Sequence, residues 1–151
     1  MLFRSIIPRV EEILNKEIDL FEKIRIFVET YINLIQSSPQ IPMFIMHELS
    51  SNPKRLSQMV ALAGLNVEKS PLKKQLDELI ASGKIRPIEI EQLMINILSL
   101  CIFPIVAKPI SMTVLYNGDE KAYQQMIEMR KKSVAEFVIN AIKNTDYEEL
   151  T

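Results

Sequence analysis

Residues 92–107 read QLMINILSLCIFPIVA, sixteen residues without a charge. At helical spacing the apolar residues of this run do not gather into one stripe. Leu93, Ile97, Leu100 and Pro104 share one face; Met94, Leu98, Cys101 and Ile105 share a second; Ile95, Ile102 and Val106 fill a third. A helix apolar all round has to be buried all round or lie in a membrane. In a chain of 151 residues, one helix is not easily covered on every side by its own neighbours. The expected solution puts the chain's own helices on one side and a second copy on the other. The stretch therefore predicts a helical homodimer with its function located between helices.

Length and composition agree with a single helical domain spanning 1–151. Apolar residues make up 48% and charged residues 25%, ordinary for a packed globular chain. With only 3 Gly there is little hairpin chemistry, and most of the 8 Pro stand where helices would begin. The composition is all-α.

A net charge of −1 and a pI near 5.9 argue against nucleic-acid binding by this chain, since displacing counterions from phosphates takes a concentrated positive field. The longest basic run, Arg130-Lys131-Lys132, reads as a solvated helix face. A lone cysteine, Cys101, excludes an internal disulfide and reads as a small buried hydrophobe. Arg4, Arg9, Glu11 and Glu12 interrupt the apolar residues at the amino terminus, so no signal peptide is read there. The charge-free run is shorter than the ~20 residues a spanning helix needs, and it contains Asn96, Ser99 and Pro104. The expectation is a cytoplasmic protein with no membrane partner.

Periodicity and breakers divide the chain. A first helix over 2–16 carries Phe3, Ile6, Ile7, Val10, Ile13 and Leu14, with Pro8 expected to kink it. Asp19 opens a second helix, with Glu22 three residues on as a capping-box partner, and Ser38-Pro39 stops it. A short helix from near Pro42 ends at Ser51-Asn52-Pro53, where Asn52 is the expected N-cap of a fourth helix that Gly64 closes. The fifth helix runs from Ser70-Pro71, or from a slightly earlier start near Asn66, to Gly83. A long helix over 89–116 follows, bent at Pro104 and Pro109. After the Asn117-Gly118-Asp119 turn, the last helix reaches about Lys143 with Tyr123, Met126, Ile127, Val134, Phe137, Val138, Ala141 and Ile142 as its stripe. The polar tail from Asn144 to Thr151 reads as frayed.

This order of pieces resembles the carboxy-terminal, effector-binding and dimerisation domain of TetR-family transcriptional repressors. Four segments carry the likeness. Leu2-Phe3 with Ile6-Ile7-Pro8-Arg9-Val10-Glu11-Glu12-Ile13-Leu14 looks like the helix that connects the DNA-binding and effector domains. Pro39-Gln40-Ile41-Pro42-Met43-Phe44-Ile45, His47-Glu48-Leu49 and Asn52-Pro53 resemble the short helix and break beside the family's pocket. Lys84-Ile85-Arg86-Pro87-Ile88, Ile95-Asn96 and Leu98 to Pro104 resemble the penultimate helix; the last helix, with Arg130-Lys131 and Val138, resembles the second dimerisation helix. The family's amino-terminal helix-turn-helix module has no counterpart before Leu2. The chain is expected to be cut from a longer protein with Met1 added, and operator DNA to be reached only through that module.

The resemblance implies a multi-helix bundle whose last two helices form a four-helix bundle with a second copy. Leu100, Pro104, Tyr123, Ile127, Val134, Phe137, Val138 and Ala141 are the expected dimer contacts. It also implies a pocket for a small apolar or amphipathic effector, walled by Phe27, Tyr31, Phe44, Met59, Met94, Ile97 and Cys101, with Tyr31, His47 or Asn96 as polar selectors. The eight Met suit such a pocket, since an unbranched thioether adapts to varied shapes. Asn96 and Ser99 could cap a ligand, bridge the dimer, or bond back to a carbonyl one turn earlier.

No catalytic or metal constellation is read. One His and one Cys are too few for zinc, and pairing His47 with Cys101 as a nucleophile would need an orienting group that nothing indicates. Neither an enzyme nor a cofactor is expected. The competing expectation is a ligand-free helical adaptor for protein–protein contact.

Overall fold

The computed structural model describes residues 2–148. They form α1 (Leu2–Asn15), α2 (Leu20–Ser37), α3 (Gln40–Ser51), α4 (Pro53–Leu62), α5 (Pro71–Ala81), α6 (Ile90–Val106), α7 (Lys108–Tyr116), α8 (Glu120–Ile142) and a single-turn α9 (Thr145–Glu148). The protein is all-α. Among the described residues the sole extended pairing is one antiparallel bridge between Ile85 and Lys143.

The helix ends follow local chemistry. The Asp19 carboxylate accepts from the amides of Phe21 and Glu22 at 2.9 and 3.3 Å, satisfying two of the free donors at the start of α2. Pro53, Pro71 and Pro109 each stand in a first turn, where the missing amide costs nothing. Asn52 precedes α4, but its side chain makes no capping bond. At the end of α7 the chain turns through two left-handed residues, Asn117 (φ 48°) and Gly118 (φ 80°), before Asp119 caps α8 through the amide of Ala122. Pro8 lies inside α1, which continues through it.

Two boundaries differ from the periodic reading. The expected helix over 89–116 is two helices, α6 and α7, meeting at Ala107 with a bend of 77°. Pro104 already removes one donor from the last turn of α6, and Pro109 is better accommodated by starting a helix than by continuing one. The tail read as frayed includes the turn α9, and residues 149–151 lie outside the described residues.

α2 and α8 form the most extensive helix pair. They run antiparallel: Arg25 Nε donates to Glu136 at 3.0 Å, and Gln36 Nε2 to Glu128 at 3.1 Å, one near each end. α6 packs on both, α5 and α1 close one side, and α3 touches α6. The core is continuous: Ile24, Val28 and Ile32 of α2, Leu76 of α5, Leu93, Ile97 and Cys101 of α6, and Ile127, Val134 and Val138 of α8 are all buried. The loop before α6 is tied to the end of α8, where Arg86 N donates to the Ile142 carbonyl at 2.8 Å and Asn144 N to the Lys84 carbonyl at 3.0 Å.

Candidate functional site

Pro104 shapes the carboxy-terminal half of α6. Lacking an amide hydrogen, it leaves the carbonyl of Leu100, four residues earlier, without its helical donor. Arg130 of α8 supplies one: its Nη2 lies 2.6 Å from that oxygen. The carbonyl of Pro104 itself, stranded where the chain bends into α7, accepts from the buried Tyr123 hydroxyl at 2.9 Å. Two side chains of α8 thus complete the backbone bonding of a broken helix. Burial, then the charge of Glu120, raises the Tyr123 phenol above its ordinary range and keeps it a donor. The Lys108 ammonium stands 5.1 Å over the Tyr123 ring and pairs with Glu120 at 2.6 Å. Arg130, expected on a solvated face, is half-buried, and its Nε is buried with no acceptor in reach.

Outside this seam α6, α7 and α8 enclose an open groove of about 510 Å³, lined by Ser99, Leu100, Phe103, Ser111, Leu115, Met126 and Arg130 among others. No carboxylate lines it. On the same three helices large apolar side chains stand in the open, Phe103 and Leu115 at the groove itself: Phe103 is 66% exposed, Val114 70%, Met129 71% and Phe137 66%, with Ile95, Ile110 and Leu115 similar. The helix expected to be apolar all round is therefore covered by its own chain on one side only. No single helix among the described residues is long and apolar enough to cross a membrane; α6 and α7 would be so only as a pair, across their bend.

The expected dimer contacts divide in two. Tyr123, Ile127, Val134, Val138 and Pro104 face inward and are buried within this chain, which corrects their placement on an interface. Leu100 is half-buried at the groove, whereas Phe137 and Ala141 are exposed. α8 turns Ala135 and Ile139 into the core in place of Phe137 and Ala141.

The residues expected around an effector also divide. Phe27, Ile97 and Cys101 are buried in the core, with Tyr31 and Met94 packed against it; the rings of Phe27 and Tyr31 stack at 6.0 Å. Burial pushes the Cys101 thiol up to about 12, the Arg130 charge offsetting a little, and burial pushes Tyr31 up to about 12 as well. Both side chains are neutral at physiological pH. Phe44 and Met59 are half-buried on α3 and α4, away from this cluster. His47 and Asn96 are exposed. Ser99 takes the third of its expected roles, donating to the Ile95 carbonyl one turn back at 2.7 Å. Phe27, Met94 and Ile97 meet around a void of about 20 Å³, room for one water, so the expected ligand-sized cavity is closed there.

Two polar residues at this level escaped the sequence reading. On α3 the inward position belongs to Glu48, 4% exposed, with Arg55 Nε at 3.8 Å. On α2 it belongs to Lys23, 3% exposed, which lines the void. Lys23 had a visible signal: at helical spacing it falls between Leu20, Ile24 and Phe27, inside the apolar stripe. Among the described residues no group of three or more His, Cys, Asp or Glu is arranged to hold a metal.

A search of curated sequences and one of solved structures each returned no match. The profile of the tetracyclin repressor-like C-terminal domain matches residues 21–138, which takes in α2 to α7 and most of α8. Domains of this kind belong to transcription regulators and typically dimerise and bind effectors. The match spans well over half the chain and agrees with the all-α bundle, so the protein belongs to the TetR-like C-terminal domain family.

Proposed function

We propose that this chain is the effector-sensing and dimerisation unit of a TetR-like transcriptional repressor. The observation that carries the reading is the uncovered apolar face on α6, α7 and α8. Phe103, Val114, Met129 and Phe137 on these helices each expose about two thirds of their surface or more, and the same helices form a groove of about 510 Å³. Large apolar side chains left exposed on three neighbouring helices favour a partner, and a two-fold axis would bring the same helices of a second copy onto them. A second copy would cover α6 to α8.

The effector would enter among α1, α2, α5 and α6, where Phe27, Met94 and Ile97 meet. Binding would favour one position of α1, the helix that would lead to the DNA-binding heads, and so alter their spacing on operator DNA. That shift can be no larger than the effector's difference in affinity between the two arrangements. Sedimentation equilibrium tests the dimer: a concentration-independent monomer at tens of micromolar would reject it. A thermal-shift panel of apolar and amphipathic compounds tests the sensing, with a stabilising hit expected.

One observation favours a second reading, a ligand-free helical adaptor: the void at the expected pocket holds about 20 Å³. A dimer that no compound of the panel stabilises would support it.

A further inference from the structure

The groove between α6, α7 and α8 holds about 510 Å³, within the range of small-molecule sites, whereas the void among α1, α2, α5 and α6 holds about 20 Å³. Its walls carry two kinds of chemistry. Leu100, Phe103, Leu115 and Met126 offer an apolar, partly aromatic surface, and Arg130 and Ser111 stand among them. Arg130 is the one charged residue of the lining, and no carboxylate among the described residues pairs with it. It is half-buried rather than enclosed. The bond from its Nη2 to the Leu100 carbonyl holds the guanidinium at the groove wall without neutralising it. That bond uses one of five N–H donors.

Ser111 adds a second, independent observation. Other hydroxyls on these helices bond back along their own backbone, Ser99 to the Ile95 carbonyl and Thr113 to that of Pro109. The Ser111 hydroxyl makes no hydrogen bond among the described residues, although Ser111 is only 8% exposed. A hydroxyl withdrawn from water without a partner is costly, and this one belongs to the groove wall.

We propose that the groove is a ligand site, separate from the interior void, for a compact aromatic monocarboxylate. Its carboxylate is received by Arg130, with Ser111 as a second donor, and its ring lies against Phe103, Leu115 and Met126. A planar guanidinium suits a carboxylate in both charge and shape, while ring and thioether side chains suit a flat apolar body. Bound there, the ligand would lie beneath the second copy proposed above. An interface closing over an empty groove of this size would leave a void that well-packed interfaces avoid. Occupancy would therefore favour the dimer, and the dimer the ligand, by the same factor. The coupling rests on the dimer reading; the site itself does not.

The test is calorimetric titration of the full chain with naphthoate and with naphthamide, which share a ring system and differ in charge. Naphthoate should bind about tenfold or more tightly, as expected for a charge-assisted bond in a largely apolar site. Arg130→Gln keeps a donor for the Leu100 carbonyl but removes the charge, and should abolish that preference; Arg130→Lys should keep a preference. Ser111→Ala breaks no hydrogen bond of the fold and should weaken naphthoate binding about tenfold. Met94→Leu, beside the interior void, should change neither affinity. No binding of naphthoate to the native chain, equal binding of the two probes, or binding unaltered in both Arg130→Gln and Ser111→Ala would overturn the site. Sedimentation equilibrium under saturating naphthoate should show a tighter dimer, and an unchanged or weaker one would overturn the coupling. A chain that stays monomeric would reject the coupling together with the dimer reading, and the titrations then decide the site by themselves.

Discussion

Arg130 of α8 donates to the carbonyl of Leu100 on α6 at 2.6 Å, and that carbonyl is the one Pro104 deprives of its helical amide. The bond links two helices through a backbone defect, so its energetic weight depends on the proline. Arg130→Met should leave a carbonyl unsatisfied at a half-buried site and lower stability by about 1–3 kcal/mol in urea unfolding. In a Pro104→Ala background, where the helix can supply its own amide, the same change should cost clearly less. A double-mutant cycle showing simple additivity would disprove the link.

Tyr123→Phe removes the donor to the Pro104 carbonyl without opening a cavity. The expected loss is about 1–2 kcal/mol, read as a lower midpoint in chemical denaturation. The ring stays in place, so the helical circular dichroism of the native state should be unchanged.

Alkaline stability should carry the mark of Cys101. Its thiol is raised from 9.0 to about 12 by burial, so the unfolded chain loses this proton first as the pH rises. The unfolded state then holds fewer protons than the folded one, and stability falls with pH. The contribution is complete below about pH 9 and is lost progressively toward 12; Tyr31, raised from 10.0 to about 12, adds to the upper part of that fall. Cys101→Ala should show a shallower decline between pH 9 and 11 in its unfolding midpoint. A decline as steep as that of the native chain would count against the buried thiol.

Phe103→Glu and Phe137→Glu change residues that are each 66% exposed in the isolated protomer. If a second copy covers that face, either change should weaken association by several kcal/mol, since it would bury an unpaired charge. Protomer stability should move little. Sedimentation equilibrium beside thermal unfolding separates the two effects, and an undiminished dimer in both variants would place the interface elsewhere.

The helical breaks were legible where one residue type carries the geometry: Asp19 at a cap, Pro53 and Pro71 in first turns, Asn117-Gly118 at a left-handed exit. The bend at Ala107 was less so. Pro104 and Pro109 announce a disturbance, but whether a helix kinks or restarts depends on what α8 offers the stranded carbonyls. The inward face of α8 was misjudged because apolar side chains occur on both of its sides. At ~100° per residue, Phe137 falls just beyond the edge of the sector that Ala135 and Ile139 complete. The site was harder still. Periodicity shows that His47 and Asn96 lie on helices, but the rotation of each helix against its neighbours decides what is covered. The same rotation turned Glu48 and Lys23 inward.

The pairing of α2 with α8 also governs how the chain comes off the ribosome. α2 is complete at Ser37, and its partner begins only at Glu120. At ordinary elongation rates the interval is roughly four to twenty seconds. Throughout it Val28, Ile32 and Ile35 lack the helix with which α2 packs most extensively in the finished bundle. A nascent chain halted before α8 would present these residues together with the uncovered side of α6, a double invitation to chaperones or to aggregation. How soluble the protein emerges is then a matter of how quickly its last long helix arrives.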